Sequence, residues 1–179
     1  MHHNWLIGIL SLDFLYYINN ALLILVYLGL FASMRKTDFA NLLIAITIGF
    51  IGIGIYYVSS VAFEMLSVSR QFFTTESMEA KQQLPGIAKG LIVTYKGTAF
   101  DVYYVFNAIT LLIISKTMLK SGIFSKGTVI WGIIAGLLMI IPSTAGTLGL
   151  VFSLVSLLPW IIFSVMAGKR LLVLSAKTV

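Results

Sequence analysis

Five apolar stretches, separated by short polar or basic segments, constrain the fold of this chain more than any other feature. A membrane-crossing helix needs about 20 predominantly apolar residues, because the hydrocarbon core is about 30 Å thick and a helix rises about 1.5 Å per residue. The stretches cover approximately residues 5–34, 39–66, 98–119, 127–141 and 148–168. The pattern predicts an all-α, polytopic transmembrane helical bundle of about five spans, forming a single domain over residues 1–179.

The composition favours a membrane protein and argues against several classes of site. Only 10% of the residues are charged, whereas soluble domains carry about 25%. There is no cysteine, and the two histidines, His2 and His3, are adjacent at the N-terminus, where a cloning remnant is as typical as a ligand pair. We therefore predict no metal site and no cofactor. The net charge of +6 is spread between spans rather than over a solvated domain, so nucleic acid is not an expected partner.

The basic residues divide unequally between the two sides of the predicted bundle. One side carries Arg35, Lys36, Lys116, Lys120, Lys126, Lys169, Arg170 and Lys177, and the other carries Arg70, Lys81, Lys89 and Lys96. The positive-inside rule places the first side, with the C-terminus, in the cytoplasm and the segment 67–96 outside. The start lacks a basic n-region and a cleavage signal, which predicts a retained first span, and the absence of N-glycosylation sequons fits a multi-pass protein of a prokaryotic cell (inner) membrane.

The external segment 67–96 is expected to be partly helical. Thr75 can cap a helix with an acidic first turn, and Pro85 with Gly86 is expected to interrupt that helix. The apolar residues of the segment are compatible with a connector on the bilayer surface or with a lid over the bundle.

Small residues recur four positions apart in the short fourth span, at Thr128, Gly132 and Gly136. This spacing permits close approach of another helix. A dimer seam and a contact within the chain are both compatible with it, and the internal contact is favoured because a short span needs neighbours.

A proline inside the fifth span, Pro159, removes one backbone donor and predicts a kink. The freed carbonyl is that of Val155, and the hydroxyls of Ser153 and Ser156 are expected to help satisfy the backbone there. Such a kink can serve gating or only shape the packing.

Three tyrosine doublets, Tyr16-Tyr17, Tyr56-Tyr57 and Tyr103-Tyr104, mark a common depth. Counted from the basic side, each lies roughly 24 to 27 Å along its span, close to the opposite membrane face. An aromatic belt accounts for this depth, since tyrosine favours the interface, where its ring is apolar and its hydroxyl hydrated.

Polar companions of the doublets predict a pocket as an alternative to the belt. Acids and amides at helical spacing share faces with the tyrosines, and acids inside a membrane are costly unless they are paired or hydrated. Basic residues of the outer side are candidate partners for these acids, and partly buried carboxylates would link ligand binding to pH. The candidate polar pocket comprises Asp13, Tyr17, Asn20, Tyr57, Glu64, Asp101, Tyr104 and Asn107.

Four strings, at residues 64–67, 95–101, 145–150 and 156–160, resemble an uncharacterised prokaryotic membrane family, domain of unknown function 4386. The resemblance covers most of the chain. It implies a multi-spanning membrane protein and no particular activity, cofactor or catalytic residue. Members of that family are longer at the N-terminus, usually by one span, so the resemblance implies that this chain is either a truncated member that lacks one N-terminal span or a divergent member.

Three functions are compatible with these patterns. The first is non-enzymatic binding, sensing or passage of a small solute or lipid through the outward-facing polar layer. The second is a structural or accessory role in a membrane complex, as a homo-oligomer or with a membrane partner. The third is a membrane-embedded enzyme, although the spans carry no histidine, metal-ligand set or nucleophile motif. Membrane lipids are expected partners in every case.

Overall fold

The structure is a computed structural model that describes residue 8 and residues 14–142 and 144–176. Every regular element in this part of the chain is a helix, which confirms the predicted all-helical class. The helices are α1 (Leu15–Met34), α2 (Phe39–Ser59), α3 (Ala62–Thr74), α4 (Met78–Tyr95), α5 (Thr98–Ser121), α6 (Lys126–Met139) and α7 (Gly146–Ser175). The predicted first span begins at residue 5, and its part before α1 lies outside the described residues except for residues 8 and 14.

Four helical runs within the described residues are long and apolar enough to cross a membrane: α1, α2 together with α3, α4 together with α5, and α7. The fourth predicted span, 127–141, corresponds to α6, which has only 14 residues. That length corresponds to about 21 Å, less than the hydrocarbon thickness of about 30 Å. The predicted count of five spans is therefore corrected to four candidate spans and one short apolar helix.

Helix α5 is the centre of the bundle, with α2 on one side and α6 on another. Helix α6 also packs along α7, while α1 contacts α2 and touches α5 and α7 more sparsely. A hydrogen bond from Thr110 Oγ1 to the carbonyl of Ala45, at 2.9 Å, ties α5 to α2. Small side chains on α2 and α6 permit the close contacts of these helices with α5 and α7. Helix α1 has sparser contacts and is the least firmly packed of the candidate spans.

The small residues of α6 lie inside the chain, between α5 and α7. A Cβ atom added at Gly132 would lie 2.9 Å from Phe163 Cδ2 of α7, and one added at Gly136 would lie 2.8 Å from Leu112 Cγ of α5. Thr128, at the start of the same stripe, is buried. The stripe is thus occupied by contacts within one chain.

One end of the bundle gathers the loops that carry most of the basic residues, and we call it the basic end. Asp38 caps α2 by accepting a hydrogen bond from the backbone N–H of Asn41, and its Oδ2 lies 2.9 Å from Lys120 Nζ. Arg170 Nε donates to the carbonyl of Ile123 at 2.8 Å. The α1–α2 loop, the α5–α6 loop and the end of α7 therefore meet at this end. Lys177 lies outside the described residues.

Replacing Asp38 with asparagine is expected to flatten the acid dependence of stability. The Asn41 side chain and Lys120 lower the pKa of Asp38 from its ordinary value of 3.8, so its contribution is present above that value and is lost as pH falls through the folded-state pKa. Thermal unfolding in detergent between pH 5 and pH 2 measures this, and asparagine keeps the helix cap. Equal pH dependence in the variant and the wild type would contradict the assignment.

Within the second predicted span, 39–66, helix α2 ends at Ser59. Ser60 takes an extended conformation with ψ of 137°, and α3 begins only at Ala62. Glu64 therefore belongs to a separate helix, so the expectation that it shares a face with the tyrosine of α2 does not hold.

The external segment forms a helical hairpin of α3 and α4. Ser77, rather than Thr75, caps α4 by accepting from the backbone N–H of Ala80 at 3.3 Å. The predicted interruption by Pro85 is wrong, since α4 continues through it; a proline removes one donor, which an exposed helix face tolerates. The two helices pack mainly on each other, and α4 touches α5 only slightly, so the hairpin does not cover the bundle.

Helix α7 runs without interruption from Gly146 through the buried Pro159 to Ser175. The hydroxyl of Ser156 donates to the carbonyl of Ser153 at 2.7 Å. The hydroxyl of Ser153 donates to a carbonyl three residues earlier, at 3.4 Å. These bonds differ from the expected ones to the carbonyl of Val155, because both side chains turn back toward the preceding turn of the helix.

Candidate functional site

The rings of the tyrosine doublets contact one another across α1, α2 and α5. The ring centroids of Tyr16 and Tyr56 are 5.4 Å apart, and those of Tyr17 and Tyr57 are 5.3 Å apart. Tyr56 continues the cluster to Tyr103 of α5, with centroids 4.8 Å apart. The doublets thus occupy one level of the bundle, which we call the tyrosine end.

Burial separates the tyrosines into two groups. Tyr56, Tyr103 and Tyr104 are 0%, 6% and 8% exposed, whereas Tyr16 and Tyr57 are 37% and 36% exposed. A belt residue places its hydroxyl in the hydrated interface, so a belt does not describe the first three. Their rings fill the interior between helices, and their hydroxyls need hydrogen-bonding groups of the protein.

A buried chain of hydrogen bonds joins α1 to α5, and we call it the Tyr–Asn network. Tyr27 Oη donates to Asn107 Oδ1 at 2.7 Å, and Asn107 Nδ2 donates to the carbonyl of Tyr103 at 2.8 Å. Tyr103 Oη donates to Asn20 Oδ1 at 2.9 Å. Asn20 Nδ2 is buried and has no hydrogen-bond partner within the described residues. The network therefore uses most of its polar atoms to fix α1 against α5.

Glycines of α2 make room for this network. A Cβ atom added at Gly49 would lie 2.8 Å from Tyr27 Cε2, and one added at Gly52 would lie 3.2 Å from Asn107 Nδ2. Larger residues at these two positions would push the polar side chains apart. The small residues of α2 therefore serve the polar contacts as well as the approach of the helices.

Beside the network, a cleft of about 330 Å³ lies between α1, α5 and α7. Hydroxyl and amide side chains from all three helices form part of its wall, and apolar side chains form the rest. The polar lining residues are Tyr16, Asn19, Tyr103, Tyr104, Asn107 and Ser156, and the apolar ones include Leu15, Leu23, Leu157, Trp160 and Ile161. None of the described residues that line the cleft carries a charge.

The cleft continues as a groove between α1 and α7. It shares Asn19 and Trp160 with a neighbouring hollow of about 270 Å³. That hollow shares Leu22 and Val26 with an apolar groove of about 780 Å³, which follows the two helices as far as Ser175 near the basic end. The sparse contact between α1 and α7 leaves this groove open. A cleft that contains amide and hydroxyl groups at the tyrosine end thus adjoins, through this hollow, a long apolar groove.

The two described acids of the predicted pocket, Asp101 and Glu64, do not line the cleft. Asp101 lies in the first turn of α5, where its Oδ2 accepts from Thr144 Oγ1 at 2.5 Å, and its buried Oδ1 has no partner within the described residues. Glu64 is exposed on α3. Neither forms an ion pair with a described basic residue, and Asp13 lies outside the described residues. Asp101 therefore connects α5 to the turn before α7.

The remaining predicted pocket residues divide between two places. Tyr104 and Asn107 line the cleft, and Asn20 lies behind it in the Tyr–Asn network. Tyr17 donates its hydroxyl to Ser60 Oγ and accepts at its carbonyl from Tyr57 Oη at 3.1 Å. This second cluster ties α1 to the end of α2 and stands apart from the cleft lining.

Several residues of the site escaped the sequence pattern. Tyr27 lies seven positions after Asn20, two helical turns along the same face, so its spacing was a usable signal. Asn19 and Ser156 carried no such signal, because their relevance depends on α1 and α7 being neighbours. Trp160 reads in sequence as an ordinary apolar residue of a span.

The chemistry available at the cleft is hydrogen bonding by neutral amides and hydroxyls next to an apolar wall. No group of three or more histidine, aspartate or glutamate side chains that could hold a metal ion occurs within the described residues. Comparison of the chain with protein-family models, curated proteins and solved structures finds no match.

Proposed function

We propose that the protein binds an amphiphilic lipid with a small, uncharged polar head, holding the head in the cleft and the tail along the α1–α7 groove. The observation that carries this proposal is that the cleft shares Asn19 and Trp160 with the small hollow, which in turn shares Leu22 and Val26 with the apolar groove. An elongated molecule that is polar at one end only fits both parts. Binding is non-enzymatic in this proposal, and sensing or passage of the lipid would follow from it.

The head group decides the specificity. A lipid tail leaves one apolar environment for another when it moves from the bilayer into the groove, so it gains little free energy. Hydrogen bonds to Asn19, Tyr104 or Ser156 contribute about 0.5–1.5 kcal/mol each. An anionic head would enter a cleft whose described lining offers no cation, and burial of an unpaired charge is costly. A neutral hydroxyl or carbonyl head is therefore favoured.

Replacing Leu157 with tryptophan is expected to block binding. Leu157 lines the cleft and is 44% exposed, so a larger ring can enter the cleft from its mouth without disturbing the buried core. A photoreactive monoacylglycerol should label the wild-type protein in nanodiscs, and the variant should show roughly tenfold less labelling, equivalent to about 1.4 kcal/mol. A photoreactive phosphatidic acid with the same acyl chain should label both proteins weakly.

Leu154 provides the matched control, because it lies on the same helix, is 59% exposed and is not part of the cleft lining. Its replacement by tryptophan should leave labelling unchanged. Equal labelling of both variants, or no labelling of the wild type above an unrelated membrane protein, would contradict the proposal. Stronger labelling by the phosphatidic acid would contradict the neutral head.

We also propose that the basic end faces the cytoplasm of a prokaryotic cell and that the tyrosine end faces outward. The concentration of basic residues in the loops of that end supports this orientation. Membership of domain of unknown function 4386 remains a prediction from the four resembling strings.

A further inference from the structure

The α3–α4 hairpin extends well beyond the length needed to cross a membrane. The α2–α3 run has 36 residues and the α4–α5 run has 44. These lengths correspond to about 54 and 66 Å, whereas the hydrocarbon core is about 30 Å thick. The hairpin therefore continues past the tyrosine end of the bundle.

Both runs are interrupted at the same level. The first break lies at Ser60, and the second lies at Gly97, with ψ of 137° and −156° respectively. Phe100, just after the second break, has its ring 6.2 Å from that of Tyr56 and 5.9 Å from that of Tyr95. The two breaks thus flank the tyrosine cluster at the tyrosine end of the bundle. We call the two breaks together the hinge.

One face of the hairpin carries an apolar groove of about 440 Å³. Its wall comes from both helices and includes Met65, Val68, Phe72, Pro85, Ala88 and Ile92. Contiguous exposed apolar surface of this kind marks an interaction site. Gln83 lies on the opposite side of α4, about 140° around the helix from Ala88 and about 180° from Ile92.

Lysines border the apolar face of α4. Lys81 and Lys89 each lie four positions from Pro85, about 40° around the helix, whereas the acidic Glu79 lies about 120° away. Lysine stems can lie along apolar surface while their ammonium groups reach phosphates. Lys81 thus lies in line with Ala88 and Ile92, and Lys89 lies at the edge of the same face. Positive charge on the apolar side of α4 favours an anionic membrane surface as its partner.

We propose that this face of the hairpin binds the anionic phospholipid surface of the same membrane that the spans cross, by bending at the Ser60 and Gly97 hinge. The hinge places the hairpin within reach of the bilayer. The apolar face enters the boundary between head groups and acyl chains, and Lys81 and Lys89 contact phosphates. This proposal is independent of the lipid in the cleft.

The full chain is suited to a direct test, because it has no cysteine and single cysteines can be labelled. Ile92→Cys reports the apolar face, and Gln83→Cys is the matched control on the opposite side. In nanodiscs that contain phosphatidylglycerol, a fluorophore at Ile92→Cys should be quenched by lipid-borne nitroxide and protected from aqueous iodide. The fluorophore at Gln83→Cys should show the reverse.

Charge variants test the anionic part of the proposal. Lys81→Gln with Lys89→Gln should lower the ratio of docked to undocked hairpin by roughly fivefold for each charge removed. Glu79→Gln should not lower it. Equal iodide quenching at both labelled positions would overturn the proposal, as would protection of Ile92→Cys by cross-linking to a second copy. Lipid quenching unchanged by the lysine replacements would overturn the role of anionic lipid.

Discussion

The Asn107→Ala variant is expected to lose roughly 1–3 kcal/mol of stability, because it leaves the buried Tyr27 hydroxyl without a partner. Asn107 is 2% exposed and accepts from Tyr27 Oη at 2.7 Å. Removal of the amide leaves the Tyr27 hydroxyl unpaired at the contact between α1 and α5, whereas the carbonyl of Tyr103 keeps its backbone partner within α5. Unfolding in detergent, followed by circular dichroism, measures the loss.

Two further variants separate the network from other effects. Tyr27→Phe removes the same hydrogen bond without creating a large cavity, and the coupling of the two replacements should fall near the range of about 0.6–1.7 kcal/mol found for bonds between membrane helices. Asn19→Ala, at an exposed position of α1, should change stability by no more than about 0.5 kcal/mol. Wild-type stability of Asn107→Ala would show that the network does not hold α1.

The Gly132→Ala variant is expected to cost about 1–3 kcal/mol through overpacking. The added methyl group would meet Ser115 Oγ on α5 and would lie 2.9 Å from Phe163 Cδ2 on α7. Both neighbours are buried, so neither can move without disturbing the contact around α6. Thermal unfolding of the variant in detergent should show the lower midpoint.

Gly54→Ala is the matched control, because a Cβ atom there meets nothing within 4 Å. It should leave stability unchanged or raise it slightly, by up to about 1 kcal/mol, since alanine favours helix. Ser115 Oγ is buried without a partner in the described part of the chain, so Ser115→Ala should relieve part of the clash in the Gly132→Ala background. A destabilised Gly54→Ala, or a stable Gly132→Ala, would contradict this account of the packing.

The common level of the tyrosine doublets in the bundle could be predicted from the sequence, but the side chains that surround each tyrosine could not. Residue counts along each span placed Tyr16, Tyr56 and Tyr103 at one level, and their rings do contact one another there. The count does not say which way a ring points around the helix. Tyr56 faces the interior and Tyr16 is partly exposed, although both occupy the same level.

The acids were the least predictable part of the site. An acid in an apolar stretch indicates a polar environment but not which one. Asp101 accepts a hydrogen bond from Thr144, which is 43 positions away along the chain. Glu64 is exposed to solvent on a separate helix. Of the predicted pocket residues, Tyr104 and Asn107 do line the cleft. Tyr104 belongs to a tyrosine doublet, and Asn107 lies one helical turn after Tyr103, so both had a local signal in the sequence.

The sequence alone determined the helical class, most helix positions and the basic end, because these depend on local hydrophobicity, helical rise and charge. The tertiary structure decided which helices are neighbours. Only that arrangement joins Asn20 to Tyr103 and opens the α1–α7 groove beside Asn19 and Trp160. The physical reason is that the apolar helices are apolar on every side, so the sequence of each does not specify which side meets another helix. Close packing at glycines such as Gly52 decides which sides meet.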